Sequence, residues 1–283
     1  MKWRGRRESG NVEDRRGMSG GGMAVGGGVV GLIIYLLYSF LGGSGEPPVM
    51  PDVAGGGETT QQNPQRVARE EDLSKFVKVV LADTEDMWGQ LYAEQGQQYQ
   101  KPTLVLYWDK VQSACGFGSA ASGPFYCPGD EKLYIDLSFY DDMQTKLGAS
   151  GDFAMAYVVA HEVGHHIQNL NGTADKLQEM RGRVSEAEFN RHSVKMELQA
   201  DFLAGVWAHY AQKQNLLETG DIEEALNAAN AIGDDRLQKR SSGTVVPDAF
   251  THGTSAQRMY WFKKGFQTGD ISQGDTFSDP SLN

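Results

Sequence analysis

The chain has 283 residues and a formal net charge of -11. Residues 1–22 run against that sign, with Lys2, Arg4, Arg6, Arg7, Arg15 and Arg16 set against Glu8, Glu13 and Asp14, a net of +3 that leaves -14 for the rest. So acidic a remainder repels phosphate backbones, and no basic stripe interleaved with aromatics offsets it, which argues against nucleic acid as a partner.

In chain order, residues 1–22 read as a basic tail. Residues 23–42 come next as an apolar stretch: Met23 to Leu41 carries no charged residue, and Val29 to Leu41 is strongly apolar. About 20 such residues span a hydrocarbon core, and Leu41-Gly42-Gly43 is a poor signal-peptide cleavage site. The expectation is one uncleaved transmembrane helix in the plasma (inner) membrane. The positive-inside rule then leaves the tail cytoplasmic and carries everything after residue 42 to the periplasmic or extracytoplasmic side. Residues 43–65, rich in Gly and Pro, read as a flexible linker. Residues 66–283 are long enough for one sizeable core.

Within that domain the apolar positions Leu73, Phe76, Val77, Val80, Leu81, Met87, Trp88 and Leu91 recur at three and four, predicting an amphipathic helix over residues 70–94. Two β-rich runs, Thr103 to Trp108 and Lys132 to Leu137, predict neighbouring strands. Between them lie Cys115 and Cys127. In an oxidising compartment this pair closes a disulfide; the other reading is two buried free thiols. Their spacing is too wide for a structural zinc knuckle. A helix over residues 153–169 is apolar nearly all round in its first two turns and therefore buried on most sides. Further helices are predicted over residues 185–214, 221–239 and 254–266. The fold class is α+β, mostly helical with a small sheet.

The buried helix carries His161-Glu162-Val163-Gly164-His165. Histidines four apart on an α-helix differ by about 40° in azimuth and about 6 Å in height, so both imidazoles reach one ion. Zn2+ favours neutral imidazole nitrogens, and a catalytic site needs three protein ligands and an open position. Glu162 is placed to take a proton from water and return it to a leaving amine. A third ligand histidine in the metzincin manner is ruled out, because Gln168 and Asn171 stand where that pattern needs Gly and His. The alternative is a carboxylate from a second helix, and Glu197 and Asp201 share a face of the helix predicted there. Glu197 is assigned as the third ligand. Asp201, one turn on, is assigned to accept the outer N–H of a ligand histidine; the competing reading is two solvated surface acids.

His161 to His165 followed by Glu197-x-x-x-Asp201 resembles the glutamate-zincin pattern of thermolysin-like peptidases and the membrane-bound Ste24 type. More closely, the Arg-rich tail, the apolar stretch, His-Glu-Val-Gly-His-His-Ile-Gln, Glu-Leu-Gln-Ala-Asp and His-Gly-Thr-Ser-Ala-Gln-Arg resemble a bacterial family of neutral zinc metallopeptidases. That resemblance spans nearly the whole chain. It implies a zincin-like metallopeptidase fold and a peptide or protein substrate.

Among later residues, His252 is a candidate to stabilise an oxyanion. Arg258 either braces Asp201 or binds a substrate carbonyl, and Tyr260 is a weaker candidate. His166 points about 100° away from its ligand neighbour and reads as packing or support. His192 and His209 read as structural. The run Lys132 to Leu137 is expected to offer a sheet edge to an extended peptide. Two other readings keep the same residues: a membrane-tethered zinc-binding adaptor that cleaves nothing, and a zinc amide hydrolase acting on the cell wall.

Overall fold

The computed structural model describes residues 1–16, 64–119 and 122–282. Its first element, β1 (Val12–Asp14), lies in the basic tail. Helix α1 (Pro64–Glu94) is followed by strand β2 (Thr103–Tyr107), the hairpin β3 (Lys110–Ser113) and β4 (Gly116–Ser119), then β5 (Phe125–Cys127) and β6 (Lys132–Asp136). A short α2 (Phe139–Asp142) runs into one wide turn, Met143–Leu147. Helices α3 (Asp152–Leu170), α4 (Thr173–Met180), α5 (Glu186–Lys213), α6 (Asp221–Ala231), α7 (Asp234–Ser242) and α8 (Ser255–Thr268) complete the domain.

Four strands form one sheet in the order β1-β2-β6-β5, parallel from β1 to β6 and antiparallel between β6 and β5. In register, Leu104 faces Leu133 and Leu106 faces Ile135. These four join the main core against the helices, while Val105, Tyr107 and Tyr134 turn to the other face and form a small cluster with Val111 and Cys127. Alternation with period two puts one apolar set on each side, so both faces of β2 and β6 are buried. The strand expected to offer a peptide-binding edge, residues 132–137, is therefore interior. The edge on that side is β5, antiparallel to β6. Cys115 and Cys127 are disulfide-bonded, tying the hairpin to the end of β5.

Helix α3 sits centrally, packed against α1, α5 and α6. It is apolar on most sides because it has neighbours on most sides. The closest helix pair is α5 with α8. A Cβ at Gly205 would lie 2.1 Å from the Phe262 carbonyl oxygen, and one at Gly265 would lie 2.0 Å from that of Phe202, so only glycine at both positions admits this approach. The predicted helix over residues 221–239 is two helices, broken at Ile232 and Gly233, with α7 leaving in a new direction.

The basic tail departs most from expectation. Arg4 grips Asp72 through two bonds of 2.9 and 2.7 Å, Arg6 binds Asp83 at 2.6 Å, and Arg7 binds Asp86 at 2.7 Å. Asn11 donates to Glu85, the Leu104 amide donates to the Asn11 carbonyl, and the Arg15 amide donates to the Leu106 carbonyl. Arg16 bonds Glu71 at the start of α1. The arm thus covers the acidic face of α1 and adds an edge strand to the sheet.

No helix among the described residues is long and apolar enough to cross a membrane, so the expected transmembrane helix is not part of the described fold. The stretch assigned to it, residues 23–42, and linker residues 43–63 lie outside the described residues. The contacts supply the physical reason for the correction. A chain crossing a bilayer once between residues 16 and 64 would leave the arm and α1 on opposite faces. Backbone hydrogen bonds and paired charges cannot reach through a hydrocarbon core.

Candidate metal centre

Two long helices build the site. Helix α3 begins where the Phe153 amide donates to Glu224 at 3.0 Å, and α5 begins where Ser185 caps the Glu188 amide. They pack closely at Gly164, inside the histidine motif, where a Cβ would stand 3.1 Å from the Cα and the carbonyl oxygen of Ala200. Ala200 lies between Glu197 and Asp201, so this approach brings both carboxylates to the histidines.

His161, His165 and Glu197 each offer one ligand atom, and these atoms lie within 4.8 Å of one another. Nε2 of His161 is 3.2 Å from one Glu197 oxygen, and Nε2 of His165 is 3.4 Å from the other. Both outer nitrogens are engaged elsewhere: Nδ1 of His161 meets Asp201 at 2.9 Å, and Nδ1 of His165 meets Gln168 at 2.8 Å. An acceptor at Nδ1 fixes the proton there and leaves the Nε2 lone pair facing inward. Two such imidazoles and a carboxylate form a donor set suited to zinc.

Asp201 is fully buried and shared. Besides His161 it accepts from Tyr157 Oη and from Arg258, whose Nε and Nη2 lie 2.8 and 3.0 Å away. Burial alone would raise its pKa, but Arg258 and His161 hold it below the ordinary carboxylate value. Arg258, 2% exposed, is committed to this bracing, so the substrate-carbonyl role considered for it is not met. Glu197 behaves likewise: burial opposes its charge, yet His165 and His252 beside it hold it well below normal. Glu162 is shifted the other way. Burial raises its carboxyl, Glu197 adds to the rise, and His165 and His161 only partly offset it, which suits a group that takes and returns a proton.

His252 shares a cleft of about 280 Å³ with Glu197, lined also by Pro128, Leu177, Phe189 and Met196. Asp234 fixes it. One Asp234 oxygen accepts the amides of Thr251, His252 and Gly253, and the other faces His252 Nδ1 at 3.2 Å. Burial lowers the affinity of His252 for its proton, but Asp234 and Glu197 outweigh it and raise the value above the usual one.

Other candidates lie elsewhere. Tyr260 is 58% exposed on α8, beside Trp261. His166 is buried between Tyr126 and the Gln100 carbonyl. His209 meets the Phe266 carbonyl, and His192 stacks on Phe277. Sequence reasoning missed Asp234, Tyr157 and the amide role of Gln168. Asp234 opens a helix after a glycine, a pattern that signals only a helix start. Gln168 was legible as the residue that excludes a metzincin, and its place about one turn beyond His165 on the histidine helix was the one cue to more.

A family model described as "Putative neutral zinc metallopeptidase" matches residues 1–277. "Uncharacterized protein YpfJ" of Escherichia coli K12 is 52% identical over 287 residues, covering 98% of this chain and 99% of the relative. "Uncharacterized protein Rv2575" of Mycobacterium tuberculosis H37Rv is 40% identical over 222 residues, covering 75% of this chain and 74% of the relative. No solved structure matches.

Proposed function

The chain belongs to the neutral zinc metallopeptidase family, and on that premise we propose that it hydrolyses peptide bonds at His161, His165 and Glu197, with Glu162 as the general base. The observation that carries this reading is the convergence of three donors beside an acid whose carboxyl burial raises. His161, His165 and Glu197 would hold the zinc, which would supply a Lewis acid able to make water nucleophilic near neutral pH. Glu162 accepts a proton from the attacking water and passes it to the leaving nitrogen. His252, whose affinity for a proton Asp234 raises, donates to the carbonyl oxygen as negative charge develops there. Asp201 and Gln168 hold the two imidazoles in the tautomer the donor set needs. A structural zinc site fills its fourth position with protein, whereas this group of donors numbers three among the described residues, which supports an enzyme over a zinc-binding adaptor.

The proposed bed for an extended substrate is the edge of β5, which leads through Pro128 into the cleft beside Glu197 and His252. The proposed setting is an oxidising compartment, supported by the Cys115–Cys127 bond. The deciding experiment compares wild type with Glu162→Gln for zinc content and for new protein termini generated in cells. Expected are equal zinc and termini that vanish in the variant. Identical termini in both would remove Glu162 as base and peptide hydrolysis with it.

A further inference from the structure

A chain of side-chain amides runs from His165 to the C-terminal segment, and its direction follows from which of its atoms can only accept. Gln168 is fully buried on α3. Its Nε2 donates to the Met196 backbone carbonyl at 2.7 Å and to Gln199 Oε1 at 3.0 Å. Gln199 Nε2 in turn donates to the Gly274 carbonyl at 3.1 Å. Backbone carbonyls have no proton to give. The Gly274 oxygen therefore demands the NH2 of Gln199, which turns Gln199 Oε1 toward Gln168. The Met196 oxygen and Gln199 Oε1 both demand the NH2 of Gln168, which turns Gln168 Oε1 toward His165. An oxygen 2.8 Å from His165 Nδ1 requires a proton on that nitrogen. The lone pair is then left on Nε2, the atom that faces Glu197.

We propose that Gln168 and Gln199 are positioning residues that fix the tautomer and orientation of His165, taking their polarity from the Met196 and Gly274 carbonyls. Gly274 closes the short helical turn Ile271–Gly274 and is itself held tightly, since a Cβ there would lie 2.5 Å from the Phe202 ring. Thr276, two residues on, donates to the Lys195 carbonyl of α5. The C-terminal segment is thereby fastened to the helix that carries Glu197. The two histidines are held differently as a result. His161 is backed by a carboxylate that Arg258 neutralises, and His165 by a neutral amide that adds no charge.

The role in metal binding rests on the zinc reading above, but the tautomer does not, so the test has two arms. In metal-free protein at alkaline pH, nitrogen NMR of labelled histidine is expected to show His165 with its proton on Nδ1. Gln168→Leu is expected to move a large share of that proton to Nε2. A wild-type His165 protonated on Nε2 would overturn the proposal. In the second arm, competition against a chelator gives zinc affinity. Gln168→Leu is expected to lose roughly 10–100-fold, the usual cost of removing such a support. Gln199→Leu is expected to lose less, because Gln168 keeps its bond to Met196. Gln168→Glu, which accepts from Nδ1 while a proton kept on its other oxygen donates to the Met196 carbonyl, is expected to recover part of the affinity. Unchanged affinity in Gln168→Leu would overturn the proposal, as would a loss matched by an equal fall in metal-free melting temperature that Gln168→Glu fails to reverse. A wild type with the Nδ1 proton but no zinc affinity would sink the peptidase reading and leave the amide chain standing.

Discussion

Asp234 holds His252 at both ends, with one oxygen on the backbone amides of residues 251–253 and the other 3.2 Å from the imidazole. The aspartate thus sets where the histidine stands and raises its affinity for a proton. Substituting Asp234→Asn preserves the shape but removes the charge. Because Asp234 raises the proton affinity of His252 against burial, its loss lowers that affinity. The alkaline limb of the rate profile is expected to move to lower pH, with zinc content unchanged. The rate at its optimum is expected to fall by about tenfold, the scale of one lost charged hydrogen bond. Steady-state peptide hydrolysis across pH checks this, and an unmoved alkaline limb would remove His252 as the titrating group.

Arg258 and Asp201 form an ion pair with both side chains almost wholly buried. Removing one partner leaves an uncompensated buried charge, which costs about 3–5 kcal/mol. Arg258→Met is expected to destabilise by that amount in denaturant unfolding. The double variant Arg258→Met with Asp201→Asn is expected to regain part of it, because the stranded charge is gone. A single variant as stable as wild type would show that Asp201 finds its charge partner elsewhere.

The arm binds α1 chiefly through acids, and its hold therefore depends on pH. Burial opposes the charge of Glu85, but Ser9, Asn11 and Lys101 outweigh it and lower its value. Glu13 is lowered by Lys132 and Arg15, and Asp14 by Arg16. For a carboxylate lowered in the folded state, the stabilisation is present above the unfolded value, near 4.5 for Glu, and is lost as pH falls through the folded one. Hydrogen exchange of residues 1–16 is expected to stay slow at neutral pH and to rise below about pH 4. Glu85→Gln is expected to release the arm already at neutral pH. Equal protection at pH 3 and pH 7 would show that docking rests on β1 pairing and apolar contacts alone.

The reading from sequence succeeded where a feature repeats within a few residues. The four-residue spacing of His161 and His165 is a property of the helix itself, and so is that of Glu197 and Asp201. The runs at residues 103–108 and 132–137 are rich in β-forming residues and pair as strands over 103–107 and 132–136. The reading failed where a segment's partner is distant. Charge counts over residues 1–22 gave the arginines a membrane role, whereas their partners Asp72, Asp83 and Asp86 lie more than 60 residues on. Strand β1 has three residues and no alternation worth the name. It is a strand because β2 offers an open edge.

By itself the sequence determined the donors: two imidazoles one helical turn apart, an acid between them, and a carboxylate pair on a second helix. Helical geometry is local and translates spacing directly into a shared face. Only the tertiary structure decided that the helices meet at Gly164 and Ala200, that Asp234 reaches His252, that Gln168 answers to Gly274, and that the basic arm belongs to the same folded body. Each of these is a contact between segments whose separation along the chain carries no period, and directed hydrogen bonds and paired charges select it only once the core has set the distances.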